Sequence, residues 1–172
     1  MRKLRLLLPI LLLLSSRAEA QEKWYHSAKY GFTLPTSGWT VIDDAAALSQ
    51  KMPSEVLALN DRVEGYPIQV VVNVAAVPEE LTLAAQTDQV REQVKGYGGT
   101  IISEAATTMG GFPAHEMVWK VQANQQTVVA AQRFTIHEGK VYNLALASLQ
   151  SLYPKQALRF QRLVEGFQLD HH

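Results

Sequence analysis

Residues 100–148 hold four strand-like runs, TIISEAATT (100–108), AHEMVWKVQ (114–122), TVVAAQRFTI (127–136) and KVYNLALAS (140–148), separated by MGGFP, ANQQ and HEG. Parallel neighbours need a crossover of a dozen residues or more, whereas a hairpin closes in a few. Breaks this short force antiparallel pairing, so this half of the chain reads as a meander. If ANQQ closes the second hairpin, facing residues have numbers that sum to about 249. His115 then lies opposite Phe134, and His137, an odd step from Phe134, points to the other face.

Upstream, PIQVVVNVAAV (67–77) puts Ile68, Val70, Val72, Val74 and Ala76 on one face and Gln69, Val71, Asn73, Ala75 and Val77 on the other. A strand apolar on one face and partly so on the other suits the middle of a sheet covered on both sides. EVLALND (55–61) alternates as a strand, and WYHS (24–27), GFTL (31–34) and the residues around Val41 and Ile42 are shorter ones. PTSG (35–38) has turn chemistry. DDAAALSQKMPS (43–54) fits either a helical turn or a loop.

The period changes twice. In LTLAAQTDQVREQVKGYGG (81–99), Leu83, Thr87, Val90, Val94 and Tyr97 follow spacings of 4, 3, 4 and 3, one stripe of an α-helix. Thr82 is placed to cap it, Glu79 and Glu80 suit its N-terminal dipole, and Gly96, Gly98 and Gly99 end it. In SLYPKQALRFQRLVEGF (151–167), Tyr153, Ala157, Phe160 and Val164 form one row, and Phe160, Leu163, Val164 and Phe167 another. Arg159, Arg162 and Glu165 are expected to point outward, and Pro154 suits the first turn. Short strands, a central strand, a helix, a meander and a helix make an α+β fold, a mostly antiparallel sheet sandwiched by helices.

The chain opens MRKLRLLLPILLLLSSRAEA: a basic start, an apolar stretch from Leu6 to Leu14 broken by Pro9, and Ala18-Glu19-Ala20. That order predicts a secretory signal over 1–20, cleaved to leave one globular domain over 21–172. The stretch is shorter than the roughly 20 residues that span a bilayer. Four of the sixteen basic residues and one of the sixteen acidic residues lie in 1–20, leaving twelve and fifteen, a net charge of −3. A mildly acidic surface argues against nucleic acid and gives no polybasic patch for anionic lipid. With no cysteine in the sequence, the core alone must hold the domain, and thiolate metal sites and thiol catalysis are excluded. The expected address is the bacterial periplasm, with release outside the cell as the alternative.

Tyr30-Gly31-Phe32-Thr33-Leu34-Pro35 with Gly38-Trp39, then Gly111-Phe112-Pro113-Ala114, Val141-Tyr142-Asn143-Leu144 and the helix from Phe160 to Phe167 recur in this order in a known family. Together they resemble the Mog1/PsbP-like α/β/α sandwich proteins, which include PsbP-like and DcrB-like or DUF1795 proteins. The resemblance covers nearly all of 21–172. It implies a non-catalytic role, binding or stabilising protein complexes as an accessory subunit or chaperone, and supplies no catalytic motif to carry over.

The residues themselves offer little chemistry. His26, His115 and His137 are expected to be solvated or locally bonded; His171 and His172 are set aside as a natural end or a tag. Asp43-Asp44 and Glu79-Glu80 are adjacent acids, and adjacency does not give the converging pair, roughly 5–9.5 Å apart, of a carboxylate mechanism. No G-x-S-x-G surrounds Ser37, and KGYGG (95–99) ends a helix where a phosphate loop would begin one. No catalytic, metal-binding or cofactor-binding residue is assigned, and no cofactor is expected. Trp24, Tyr25, Tyr30, Phe32 and Trp39 crowd sixteen positions; Phe32, Leu34 and Trp39 are expected in the core, while Trp24, Tyr25 and Tyr30 are the candidates for partner binding. The expectation is an exported, non-catalytic protein that binds another protein, with no nucleic acid, no stable membrane insertion and no small-molecule ligand assigned. A periplasmic hydrolase whose site only the fold assembles, and an immunity or inhibitor protein against a secreted toxin, are the alternatives.

Overall fold

The three breaks in residues 100–148 tighten into two-residue turns, with both central residues at positive φ: Gly110 and Gly111 (59° and 86°), Asn124 and Gln125 (48° and 64°), Glu138 and Gly139 (47° and 66°). Such turns carry the right-handed twist that neighbouring strands need. They join β6 (Thr100–Met109), β7 (Phe112–Ala123), β8 (Gln126–His137) and β9 (Lys140–Leu149). The register is the expected one, with His115 opposite Phe134.

The computed structural model describes residues 22–42, 55–63 and 66–170. The leader expected over 1–20, the segment 43–54 with Asp43 and Asp44, and His171 and His172 lie outside the described residues. Ahead of the meander come β1 (Trp24–Ser27), β2 (Phe32–Pro35), β3 (Thr40–Ile42), β4 (Glu55–Val63) and β5 (Tyr66–Ala76). Helix α1 (Leu83–Gly96) precedes β6; α2 (Tyr153–Gly166) and β10 (Gln168–Leu169) follow β9.

Seven strands make one antiparallel sheet in the order β3-β4-β5-β9-β8-β7-β6. Strand β5 lies between β4 and β9, so its Val70, Val72 and Val74 meet Leu146, Leu144 and Tyr142. A smaller sheet, β1-β2-β10, forms where the chain end returns antiparallel along β2. A two-residue strand has no readable period, and this sheet was not anticipated.

Two cores lie on opposite faces of the large sheet. The larger packs Leu57, Leu59, Val70, Val72, Leu144 and Leu146 under Phe160, Leu163 and Val164 of α2 and Phe32 and Leu34 of β2. The smaller packs Val90 and Val94 of α1 on Met117 and Phe134, with Trp119 at its rim. Burying an aliphatic or aromatic side chain contributes about 1.5–3 kcal/mol, so both helices are held chiefly by these stripes. Thr82 caps α1 as expected, accepting from Ala85 N–H at 3.1 Å. Glu79 and Glu80 do not cap: they lie exposed in the turn before Thr82. Tyr97, expected to continue the buried stripe, falls past the last helical turn, where it is exposed and stacks on Trp119. Among the described residues no helix is long and apolar enough to cross a membrane.

Candidate binding site

Arg133 is the one charged residue buried among the described residues, 7% exposed. It stands on β8 with Val129 and Ala131, on the face that carries the larger core. Its Nε donates to Glu116 Oε2 at 2.9 Å, and Nη2 donates to the same oxygen. Glu116 is the cross-strand neighbour on β7. Nη2 also donates to Gln161 Oε1 of α2 at 3.1 Å, and Nη1 reaches the Thr108 carbonyl oxygen of β6 at 3.5 Å. The guanidinium thus runs from the middle of the sheet toward its β6 edge. A buried guanidinium is tolerable because a carboxylate and further acceptors satisfy it.

Above this cluster lies a groove of about 560 Å³. Thr107, Thr108 and the Gly110-Gly111 turn form one wall, Gln161, Val164 and Glu165 of α2 the other, and Phe167 to Leu169 close the end. Helix α2 covers the sheet centre but stops short of β6, which leaves the opening. Gly110 is required there: a Cβ would come within 3.1 Å of the Leu169 side chain, and φ is positive. Gln161 Nε2 donates to Glu165 Oε1 at 3.0 Å. Arg133 and Glu116 neutralise each other, so Glu165 sets the sign of the groove.

A second polar cluster is structural. Arg159, expected to point outward, turns in over the N-terminal segment. Its Nη1 donates to Asp61 Oδ2 at 2.6 Å and Gln156 Oε1 at 3.1 Å, and its Nη2 to the Gly38 carbonyl at 2.9 Å. The guanidinium lies 4.1 Å from the centre of the Trp39 ring. Trp39, expected in the core, is half-buried, with one side on the core and Arg159 on its face. A guanidinium can lie on an aromatic face while its N–H groups reach acceptors around it, which an ammonium does less well.

On the other face of the sheet, Arg91 of α1 donates to Asp88 and to Glu104 of β6, at 2.6 and 3.0 Å, and His115 Nε2 lies 3.2 Å from Glu104 Oε2. The Arg91 hydrogen bond, reinforced by His115, holds the Glu104 carboxyl below the usual carboxylate range against a smaller opposing effect of burial. His26 bonds Thr33 Oγ1 at 3.0 Å, and His137 stacks on Phe112 with ring centres 4.0 Å apart. His115 and His137 lie on opposite faces, as expected. Ser37 accepts from Lys23 N–H at 2.7 Å, which ties down the start of β1.

The aromatic candidates are spread out. Trp24 is 47% exposed. Tyr25, next to it on β1, faces the other way and packs against Phe32, ring centres 6.0 Å apart. Tyr30 is half-buried against the core under Lys29, and its carbonyl accepts from Tyr142 Oη at 2.9 Å.

Solved structures of other proteins share the arrangement. The solution structure of cyanobacterial PsbP from Synechocystis sp. PCC 6803 superposes with a TM-score of 0.65 at 17% identity, over 86% of this chain and 91% of that one. LpqN of Mycobacterium tuberculosis, involved in cell envelope biogenesis, superposes with a TM-score of 0.68 at 17% identity, over 88% and 91%. The fold is PsbP-like. A Pseudomonas aeruginosa protein of unknown function shares it more loosely, with a TM-score of 0.54 at 12% identity, over 81% and 91%. The sequence significantly matches no protein-family model and no curated protein. Within the PsbP-like fold, sequence reasoning singled out neither Arg133 nor Glu116, Gln161 or Glu165. The sequence carries no signal for it: Arg133 shares its face of TVVAAQRFTI with Thr127, Val129, Ala131 and Thr135, whereas Val128, Ala130, Phe134 and Ile136 make the other face the more apolar.

Proposed function

We propose that this chain is an exported, non-catalytic accessory protein of the bacterial envelope that acts by binding another protein, and that the groove beside β6 is its contact surface. One observation carries the reading. A buried, hydrogen-bonded arginine forms the floor of a groove that opens onto a strand edge paired to no further strand among the described residues. Its guanidinium is held by an ion pair and amide contacts, which suits fixed recognition better than proton transfer. The likeness to LpqN, a protein involved in cell envelope biogenesis, and to cyanobacterial PsbP supports the same class of role, as fold analogy. The leader expected over 1–20 supports the periplasm as its address. Exposed Trp24 offers a second contact, and the half-buried Tyr25 and Tyr30 smaller ones of their own.

Site-specific photocrosslinking in the native envelope tests the reading, with the reactive side chain placed in turn at Thr107 and at Trp24. A defined protein adduct that depends on ultraviolet light and survives in stringent washes is the expected result. Absence of adducts from both positions, or substrate turnover by the purified protein that is abolished by Glu116→Gln with the fold intact, overturns it.

A further inference from the structure

Strand β6 ends the order of the large sheet among the described residues. Its outward backbone groups follow from the turn that ends it. In a two-residue hairpin the residues flanking the turn exchange both backbone hydrogen bonds, and bonded and non-bonded pairs then alternate. Met109 and Phe112 flank Gly110-Gly111, so Met109, Thr107 and Ala105 bond inward to β7. Thr108, Ala106 and Glu104 turn their N–H and C=O groups outward. One observation agrees: Thr108 faces Pro113, which has no N–H to give. The Thr108 carbonyl is also approached by Arg133 at 3.5 Å, which leaves its second lone pair for an added strand.

Natural edge strands are blunted by lysine, proline, a bulge or a covering element. Strand β6 has a bulge between Ile101 and Ser103, where Ile102 is 54% exposed. Beyond it, from Ser103 to Thr108, there is no proline or lysine. The single charge, Glu104, is drawn back against α1 by Arg91. Ser103 to Ala106 and Thr108 are exposed. The groove opens directly under the last part of this edge, at Thr107 and Thr108.

We propose that β6 receives an extended peptide segment as an added strand, paired to Glu104, Ala106 and Thr108, with a basic side chain of that segment entering the groove toward Glu165. This rests on the protein-binding reading above and names its partner chemistry. Strand addition supplies affinity through main-chain bonds and selects sequence through alternate side chains. The peptide's groove-side residues follow Ala105 and Thr107, whose small side chains leave space. Glu165 is exposed and, with Arg133 paired to Glu116, carries the unneutralised charge of the groove, which makes a lysine or arginine the fitting occupant; a carboxylate there meets the like charge of Glu165.

Two probes test it, the capped peptides Thr-Val-Thr-Lys-Thr-Val-Thr and its counterpart with Glu at the centre, titrated into the protein and read by amide NMR. The Lys peptide is expected to shift the Glu104, Ala106 and Thr108 resonances and to bind roughly two- to fivefold more tightly than the Glu peptide, the scale of one exposed charge pair. Ala106→Pro removes only an outward N–H, which an edge strand tolerates, and should abolish binding. Glu165→Lys, a change at an exposed position, should reverse the preference and decides the matter if the proline variant fails to fold. Equal binding of both peptides, shifts elsewhere on the surface, no binding of either, or a preference unchanged by Glu165→Lys overturns the proposal. Photocrosslinking separates this from failure of the broader reading: an adduct from Trp24 but none from Ala106 leaves protein binding standing and removes β6, whereas none from either removes both.

Discussion

Gly96 and Gly166 sit at the ends of the two helices and have opposite reasons for being glycine. A Cβ on Gly96 meets nothing within 4 Å, whereas one on Gly166 lies 2.5 Å from Pro35 Cγ and 2.7 Å from its Cδ. Neither has the positive φ that favours glycine. Gly96→Ala should therefore stabilise the protein by about 0.5–1 kcal/mol, through lost freedom of the unfolded chain. Gly166→Ala should destabilise it by about 1–3 kcal/mol, because a proline ring cannot swing aside. Thermal unfolding of the pair checks both signs, and equal shifts would refute the packing argument. Glu116 gives a larger effect at the same scale. Glu116→Gln leaves the buried Arg133 without its counterion; fully buried pairs lose about 3–5 kcal/mol when one partner goes. Glu116 is about one-third exposed (31%), so we expect about 2 kcal/mol by denaturant titration. A loss below about 0.5 kcal/mol would mean that the pair is screened like a surface one.

At the scale of elements, the three hairpins have unequal turns. Gly110-Gly111 and Glu138-Gly139 place glycine where φ is positive, but Asn124-Gln125 holds glutamine at 64°. A left-handed conformation costs a non-glycine residue about 1–2 kcal/mol, and Asn-Gly is the favoured pair for this turn. Gln125→Gly should recover about 0.5–1 kcal/mol and raise the melting temperature by roughly 1–4 °C; a fall would show that Gln125 makes a contact worth more than its strain. The meander was legible because period-two patterning and turn residues act locally and agree. The helix stripes were legible for the same reason, down to Thr82 as the cap. Arg159 was not, because a charge on an amphipathic helix reads as solvated until Asp61, Gly38 and Trp39, distant in sequence, are brought beneath it. The groove was illegible likewise: it exists because α2 stops short of β6, a fact of packing that no spacing records. Glu104 shows what such tertiary pairing does to pH response. Its lowered folded value means that its contribution is full above the unfolded carboxylate value, about 4.3, and is lost as pH falls through the folded one.

Across the whole molecule, the small sheet is fastened to the large one near Tyr142. Its hydroxyl donates to the Tyr30 carbonyl at 2.9 Å. Asp170 N–H donates to the Gly31 carbonyl at 3.0 Å, and Phe167 lies between Phe32 and Tyr142, ring centres 5.6 and 6.2 Å away. Burial raises the Tyr142 hydroxyl above the usual phenol value, and the charges of Glu138 and Asp170 add to it; burial does the same for Tyr153, with Glu116 adding to it. A folded state that holds the proton more tightly than the unfolded chain gains nothing below about pH 10, where both are protonated. Above that the unfolded chain ionises first, so stability falls as pH rises from about 10 toward the folded value. Tyr142→Phe removes one of the two phenols among the described residues whose values are raised, and it also leaves the Tyr30 carbonyl without its donor. The variant should be less stable than the parent by about 1 kcal/mol at pH 7, yet lose stability less steeply above pH 10. Denaturant titrations of both proteins from pH 7 to the alkaline limb decide it. Parallel curves would mean that Tyr142 ionises as freely in the folded protein as in the unfolded chain, and that its burial against Phe167 does not hold its proton.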